Sequence, residues 1–194
     1  MKIAFINGSP RKSKSVSSFL LKSLQEKLPG CEISDGWAGP FDAIVFAFPL
    51  YVDGIPSTLL RELAAHERGL PAGARAYALV NNGFYEGKQN AVAITILRNW
   101  CARAGLEWGQ GVGVGAGGML QTVSVPVGRG PLKSLGRALD ALAQNILTLG
   151  SGGDIFTSPN FPRRLYMIAA EIKFRMTVRK NGLKRRDVDR RLEE

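Results

Sequence analysis

The serines and the arginine that follow the first apolar run are well suited to bind a charged ligand. The run covers residues 3–6 and is typical of a strand buried on both faces of a parallel sheet. Hydroxyls donate hydrogen bonds and a guanidinium binds paired oxygens, so this pattern predicts a phosphate site. An ordinary strand-to-helix loop with solvated charges is the alternative. The candidate residues are Ser9, Arg11, Ser13, Ser15 and Ser17.

A helix must follow this loop if the serines are to form a phosphate site. Ser15 is suited to cap this helix. The apolar face of the helix would carry Val16, Phe19, Leu20, Leu24 and Leu28. The first turn of such a helix offers free backbone N–H groups and a partial positive charge. The order strand, small polar loop and helix therefore favours phosphate binding.

Three loops are predicted to leave the carboxyl ends of the strands, at residues 7–14, 49–55 and 81–87. The second and third contain Tyr51, Phe84 and Tyr85, which suit a flat heterocycle, and their backbone amides can bind its polar edge. Plain packing of the loops is the alternative for these aromatic residues. A phosphate site beside a planar-ring site fits a mononucleotide such as FMN.

Three motifs in these loops resemble the flavodoxin-like NAD(P)H-dependent FMN reductase family. They are Asn7-Gly8-Ser9-Pro10-Arg11, Pro49-Leu50-Tyr51 and Asn82-Gly83-Phe84-Tyr85-Glu86. The resemblance covers roughly the first 120 residues, and it implies a flavodoxin-like fold, bound FMN and often a dimer. It places the phosphate on Ser9, Arg11, Ser15, Val16 and Ser17. It places the ring against Pro49, Leu50, Tyr51 and Val52 and against Asn82, Gly83, Phe84 and Tyr85.

The sequence departs from the family pattern in two places. Val16 stands where the family usually has threonine, so a contact there uses the backbone or passes to Ser17. The cysteine cluster of the iron–sulfur members is missing, so no cluster or other metal is expected. No motif identifies a nicotinamide site.

The resemblance implies an NAD(P)H-dependent oxidoreductase that passes electrons through FMN to a quinone, nitro, azo or similar small-molecule acceptor. The flavin carries out this chemistry, so no catalytic acid or base is assigned. One alternative is a flavodoxin-type electron carrier without enzymatic activity. Another is a protein that binds a surface or a partner through its basic C-terminal tail.

The element pattern predicts a doubly wound α/β fold. Five strands alternate with helices, which favours a parallel sheet in the flavodoxin order 2-1-3-4-5 between two helical layers. Residues 1–158 are predicted to form the FMN-binding domain, and residues 159–194 a basic helical extension beginning near Pro162 and ending at Gly182. The crossover 35–42 is too short for a helix. We therefore expect it to leave apolar sheet uncovered, which the extension or a second subunit would cover in a homodimer.

Hydrophobic periodicity also predicts which side chains are buried. One helix is expected to bury Leu59, Leu60, Leu63 and Ala64, and the next Val92, Ile96 and Trp100. Trp108, Val112 and Val114 are expected on one face of the fifth strand. The glycine pattern at 113–118 matches a dinucleotide fingerprint only formally, because no helix is predicted directly after it. These glycines indicate close backbone approach or a mobile loop.

Composition and charge bear on the partners of the protein and on its cellular location. The 194 residues carry a net charge of +10, and the tail from Arg163 to Glu194 has eleven Lys and Arg against five Asp and Glu. A solvated face is favoured for this tail over binding to nucleic acid or an anionic membrane surface. Cys31 and Cys101 are isolated and interpreted as small buried hydrophobic residues. With no signal-peptide pattern, these features predict a cytoplasmic protein.

Overall fold

A computed structural model describes residues 1–37, 39–120, 122–184 and 187. The chain divides into two compact units, with the boundary between Asn160 and Phe161. The larger unit carries the sheet and both helical layers, and the smaller one carries a long helix. The assignment of functions to these two parts stays a prediction.

The larger unit is built on a parallel sheet of six strands. Their order is β2-β1-β3-β4-β5-β6, with every neighbouring pair parallel. The predicted fold class and the order of its five strands are confirmed, and β6 is an addition at the edge. The strands are β1 (Lys2–Asn7), β2 (Glu32–Asp35), β3 (Ala43–Pro49), β4 (Arg75–Asn81), β5 (Glu107–Val114) and β6 (Ile155–Thr157).

Helices cover both faces of the sheet. Short 3₁₀ turns precede three of them, at Lys12–Lys14, Gly87–Asn90 and Gly130–Leu132. The α1 and α5 side chains share a core with Ile3, Val45 and Val112, whereas those of α2 and α3 share one with Ile44 and Phe46. The helices are α1 (Val16–Gln25), α2 (Ser57–Ala65), α3 (Ala91–Arg103), α4 (Gly117–Leu120), α5 (Lys133–Leu147) and α6 (Arg163–Lys180).

The prediction that Trp108, Val112 and Val114 share one face of β5 is wrong. Trp108 packs with the α2/α3 core, while the two valines lie in the α1/α5 core. The cause is a bulge, since Trp108 pairs with Ala76 but the next pair in register joins Tyr77 to Gln110. One extra residue reverses the alternation of side chains between the two faces.

The prediction of the buried faces of α2 and α3 is partly wrong. Leu59, Leu63 and Trp100 are buried as expected, but Leu60, Ala64, Val92 and Ile96 are exposed. In α3 a second apolar stripe competes at helical spacing and contains Ala93, Ile94, Leu97 and Cys101. Only one of two neighbouring stripes can face the sheet, and periodicity alone does not select it.

The short crossover after β2 does not leave the sheet uncovered, which corrects another expectation. Ala4 and Ile44 are fully buried. Trp37, from the crossover itself, stacks on the His66 ring at the end of α2, with a centroid distance of 4.4 Å. Its indole N–H donates to Glu62 at 3.2 Å. Phe41, also from the crossover, is buried in the same core, so two aromatic side chains take the place of the missing helix as cover.

The cysteines and the segment after β5 also differ in part from expectation. Cys101 is fully buried, but Cys31 is only partly buried. A helix does begin directly after β5, although α4 has only four residues. A single turn of this length does not restore the dinucleotide fingerprint, which needs a full helix packed on the sheet.

The smaller unit contains α6, which begins after Pro162 and ends before Gly182 as predicted. Gly182 has a φ of 72°, a left-handed conformation typical of a helix end. None of the residues of α6 is buried. The packing of its apolar side chains stays a prediction, and most of the charged segment after Leu183 lies outside the described residues.

No helix in the described part of the chain combines the length and the apolar character that crossing a membrane requires.

Candidate functional site

Four loops meet at the carboxyl edge of the sheet, one after each of β1, β3, β4 and β5. The backbone ties them together, because Gly8 N–H donates to Ala47 at 2.9 Å and Leu50 N–H donates to Asn81 at 2.7 Å. Gly117 N–H donates to the carbonyl of Asn82 at 2.7 Å. The first three loops were predicted. The fourth, which starts at Gly115, joins the third loop closely enough that a Cβ on Gly115 would lie 2.2 Å from the Tyr85 carbonyl oxygen.

The loop after β1 ends in a well-capped helix. Ser15 is the N-cap of α1, as predicted, and its hydroxyl oxygen accepts from Ser18 N–H at 3.1 Å. The same hydroxyl donates to the carbonyl of Lys12 at 2.5 Å. Within the described residues, no protein group accepts from the N–H groups of Val16 and Ser17. These two amides are the helix N-terminal donors that an anion would use.

Asn7 shapes this loop from inside and was not among the predicted site residues. Its side-chain oxygen accepts from Ser9 N–H at 3.1 Å, and its amide group donates to the Lys12 carbonyl at 3.2 Å. Ser9 is buried, and its hydroxyl accepts from Arg11 N–H at 3.3 Å. Lys12 adopts a φ of 46°, which is uncommon for a residue with a side chain. The loop is therefore held in one conformation by its own polar groups.

A second residue that the sequence did not reveal, Asn81, ties α1 to the sheet. Asn81 is buried at the end of β4, and its amide group donates to Ser17 Oγ at 3.0 Å and to the Phe48 carbonyl at 3.1 Å. The only available signal was a polar residue directly after an apolar strand. Its partner Ser17 is 64 positions away. This contact fixes the helix N-terminus over the ends of β3 and β4.

The charge around the first loop is positive. Arg11 and Ser13 are exposed beside the helix N-terminus, and Lys12 lies 3.7 Å from the Glu62 carboxylate. No acidic partner of the Arg11 side chain exists in the part of the chain that the structure describes. A helix N-terminus and a nearby guanidinium both attract an anion, and their effects add. This edge of the sheet is therefore suited to a phosphate group.

A tight hairpin follows β3, where the sequence predicted contacts with a planar ring. Tyr51 and Gly54 exchange backbone hydrogen bonds of 3.1 and 2.9 Å. Between them Val52 and Asp53 have φ values of 48° and 54°, the two positive angles of a type I′ turn. Pro49 and Leu50 are partly buried, whereas Tyr51 and Val52 are exposed. The hairpin thus presents an aromatic and an aliphatic side chain to solvent.

The Val52→Asn variant is expected to unfold less readily than the wild type. A β-branched residue at positive φ is strained, by roughly 1–2 kcal/mol, and asparagine tolerates this conformation. Because the Val52 side chain is fully exposed, the substitution loses no buried contact. Chemical denaturation would show a rise of about 1 kcal/mol in the free energy of unfolding. Tyr51→Asn is the control at a neighbouring position with no positive φ, and an equal rise there would contradict strain at Val52.

The loop after β4 combines a buried amide with exposed rings. Asn82 is buried and its amide group donates to the Glu86 carbonyl at 3.1 Å, but its side-chain oxygen is buried without a hydrogen-bond partner in the described structure. Phe84 is 56% exposed. The Tyr85 hydroxyl donates to the Pro159 carbonyl at 3.1 Å and so anchors the loop. An added Cβ at Gly83 would meet open space.

The geometry brings the predicted residues to one edge of the sheet. The phosphate candidates surround the N-terminus of α1, and the ring candidates lie on the two neighbouring loops. Whether they contact a ligand stays a prediction. Among the described residues, no group of three or more His, Cys, Asp or Glu side chains is placed to hold a metal ion.

Several solved structures share this fold at low sequence identity. A flavodoxin from Streptococcus pneumonia TIGR4 is 14% identical, with a TM-score of 0.57 over 77% of this chain and 99% of that chain. An NAD(P)H:quinone oxidoreductase from Methanothermobacter marburgensis is 14% identical, with a TM-score of 0.54 over 76% and 97%. An FMN-dependent NADH-azoreductase from Bacillus anthracis str. Ames Ancestor, solved in complex with FMN, is 14% identical, with a TM-score of 0.53 over 75% and 99%.

No protein-family model and no curated protein matches the sequence. The structural likenesses confirm the predicted flavodoxin-like fold.

Proposed function

We propose that this protein is an FMN-binding oxidoreductase that takes electrons from NAD(P)H and passes them to a quinone, nitro, azo or similar acceptor. One observation carries the proposal. A positively charged helix N-terminus with two unused amides lies at the same sheet edge as a buried, unpartnered amide oxygen on Asn82. FMN carries both a phosphate, which the two amides would bind, and an imide N–H, which would donate to the Asn82 oxygen. Two proteins of the same fold, the azoreductase and the quinone oxidoreductase described above, are in keeping with this class of activity.

The phosphate of FMN fits the first loop. The N–H groups of Val16 and Ser17 would donate to its oxygens, and the exposed Arg11 and Ser13 side chains would add charge and a hydroxyl. Val16 would contribute only its backbone N–H, so no threonine hydroxyl is needed at this position. The Ser15 hydroxyl both accepts from Ser18 N–H and donates to the Lys12 carbonyl, so it acts by fixing the loop. The hydroxyls of Ser9 and Ser17 accept from groups within the protein, and their O–H groups would donate to the phosphate.

The ring of FMN fits the second and third loops. A flavin ring carries an imide N–H, and the Asn82 side-chain oxygen lacks the donor that such a group would supply. Leaving that oxygen buried without a partner costs free energy, which a donor on the ligand would recover. Tyr51 and Phe84 offer apolar area to the ring from the two loops, and Gly83 leaves space beside it.

Bound FMN supplies the redox chemistry, accepting two electrons and delivering them to an acceptor. The protein binds the phosphate, orients the ring and sets its polarity. The fixed conformation of the first loop means that little ordering is needed on binding. No side chain is assigned a catalytic proton transfer.

The Arg11→Ala variant should bind FMN about 10- to 150-fold more weakly, because it loses one charge-assisted hydrogen bond of roughly 1.5–3 kcal/mol. Titration of flavin-free protein with FMN, followed by flavin fluorescence, measures this affinity. Arg137→Ala is the matched control, since Arg137 is also exposed but lies on α5. Equal affinity in Arg11→Ala and the wild type would refute the role of Arg11, and no binding to either would refute the proposed function.

The likeness to a flavodoxin favours a second candidate, an electron carrier without enzymatic activity. Anaerobic addition of NADH or NADPH to the FMN-loaded protein separates the two. Loss of the flavin absorbance without any added reductase would support the oxidoreductase. A flavin that stays oxidised would support the carrier.

Three further proposals concern the setting of the protein. We infer a homodimer in which the apolar side of α6, with Leu165, Ile168, Ile172 and Met176 each at least half exposed, packs on protein surface. The Arg and Lys side chains of α6 would stay in water, with no nucleic acid bound.

A cytoplasmic location also stays a proposal.

A further inference from the structure

A cavity lies beside the first loop, between β1, β2 and α1. Its volume is about 630 Å³. It shares Asn7, Lys12 and Ser13 with the candidate phosphate loop, but none of the ring-loop residues lines it. The cavity therefore adjoins the proposed FMN phosphate site, with which it shares Ser13, and lies apart from the proposed ring site.

The walls of this cavity contain one fixed aromatic side chain. Trp37 lines it, held by its stack on His66 and by its hydrogen bond to Glu62. Phe5, Ile6 and Leu21 also line it, but they are almost fully buried in the two cores and offer little surface. An aromatic side chain that is already immobilised suits a flat heterocyclic base.

Charged groups of both signs line the cavity. Lys12 and Lys22 supply two cations, and the carboxylate of Glu62, which also lines the cavity, lies 3.7 Å from the Lys12 amine. Asp35 is the last residue of β2, and its exposed carboxylate has no partner in the described part of the chain. In dinucleotide-binding folds, an acidic side chain at the end of the second strand accepts hydrogen bonds from a ribose hydroxyl. Here the same position is next to an aromatic side chain and two cations.

We propose that this cavity binds the adenosine diphosphate portion of the reduced dinucleotide that donates electrons to the flavin. The inference rests on the proposed function and deepens it. The base would lie against Trp37, the ribose would bind Asp35, and Lys12 and Lys22 would attract the diphosphate. A 2′-phosphate would face the Asp35 carboxylate with like charge. The cavity therefore selects NADH over NADPH.

Isothermal titration of the purified protein with ADP, and separately with AMP and with adenosine 2′,5′-bisphosphate, tests the cavity without any redox reaction. ADP is expected to bind, and the 2′-phosphorylated probe is expected to bind at least about tenfold more weakly than AMP, which carries the same 5′-monophosphate. Asp35→Asn should weaken ADP binding by about tenfold or more and reduce the preference between the probes. Glu32→Gln is the matched control, because it removes a carboxylate at the opposite end of the same strand.

Two variants keep the test decisive. Lys22→Gln should weaken binding of ADP more than binding of adenosine, because only ADP carries phosphates. Absence of ADP binding, or equal binding by Asp35→Asn and the wild type, would overturn the inference. If NADH still reduces the FMN-loaded protein in that case, the proposed function survives without this cavity. If ADP binds but FMN does not, the proposed function fails while the nucleotide site remains.

Discussion

The Gly87→Ala variant is expected to lose about 3 kcal/mol or more of its free energy of unfolding. A Cβ at this position would lie 2.3 Å from the Thr157 carbonyl oxygen and 2.5 Å from the Gly113 carbonyl oxygen. Both are backbone atoms of paired strands, β6 and β5, so no side-chain rotation relieves the clash. The sheet edge must open or the loop after β4 must move, and either change displaces the candidate ring site.

Gly83→Ala is the matched control in the same loop. No atom lies within 4 Å of its added Cβ, so its free energy of unfolding should stay within about 0.5 kcal/mol of the wild type. Urea denaturation of both variants, followed by circular dichroism, measures the two values. Equal stability of the two variants would show that residues 113 and 157 do not confine Gly87. If Gly83→Ala folds normally but binds FMN more weakly, the ring does occupy the space beside Gly83.

Local signals account for the parts of the site that the sequence revealed. The apolar run of β1, the break at Asn7 and the cap at Ser15 lie within a few residues of one another, and each element follows from its own composition. The carboxyl ends of parallel strands then gather the loops at one edge whatever the details of packing. This is why the first three loops could be predicted to meet.

Contacts between distant segments account for most of what was missed. The Asn81–Ser17 hydrogen bond joins residues 64 positions apart, and the fourth loop joins Phe84 to Ala116 through a 2.5 Å backbone bond. Neither contact leaves a pattern in one segment alone. The unpartnered oxygen of Asn82 is a property of the folded chain, because it depends on what surrounds the residue.

Two predictions were wrong although the local pattern behind each was identified correctly. The crossover after β2 was rightly predicted to be too short for a helix, but Trp37 and Phe41 from the crossover pack in the core on that face of the sheet. In β5 the extra residue at Gly109 reverses the alternation of side chains. Glycine is needed there because a Cβ would lie 2.3 Å from the Tyr77 ring. A single glycine within a strand was the available signal for a bulge.

Alkaline pH should unfold this protein, because two buried acids hold their protons more tightly in the folded state. Burial raises the pKa of the Cys101 thiol from 9.0 to about 12. Burial also raises the pKa of Tyr77 from 10.0 to about 12, with nearby Arg75 acting in the opposite direction. The Tyr77 hydroxyl donates to the carbonyls of Asn145 at 2.9 Å and Gly150 at 2.8 Å, which only the protonated form can do.

The direction of the pH effect follows from the proton balance. Above pH 9 the unfolded chain releases protons that the folded protein keeps, so the free energy of unfolding falls as the pH rises. The contribution of Cys101 and Tyr77 to the free energy of unfolding is fully present below pH 9 and is lost as the pH rises to about 12. At about 1.4 kcal/mol for each pKa unit, the two groups remove about 7 kcal/mol in total. This loss is comparable to the whole stability of a typical domain.

Urea denaturation at several pH values between 8 and 12 tests this expectation. The wild type should lose stability steeply above pH 9, whereas a Cys101→Ala/Tyr77→Phe double variant, although less stable at pH 8, should lose much less. Cys31→Ala controls for removal of a thiol at a partly buried position. A double variant with the same pH slope as the wild type would assign the alkaline loss to other groups. The single variants Cys101→Ala and Tyr77→Phe separate the two groups. A shallower pH slope in only one of them would identify the buried acid that dominates.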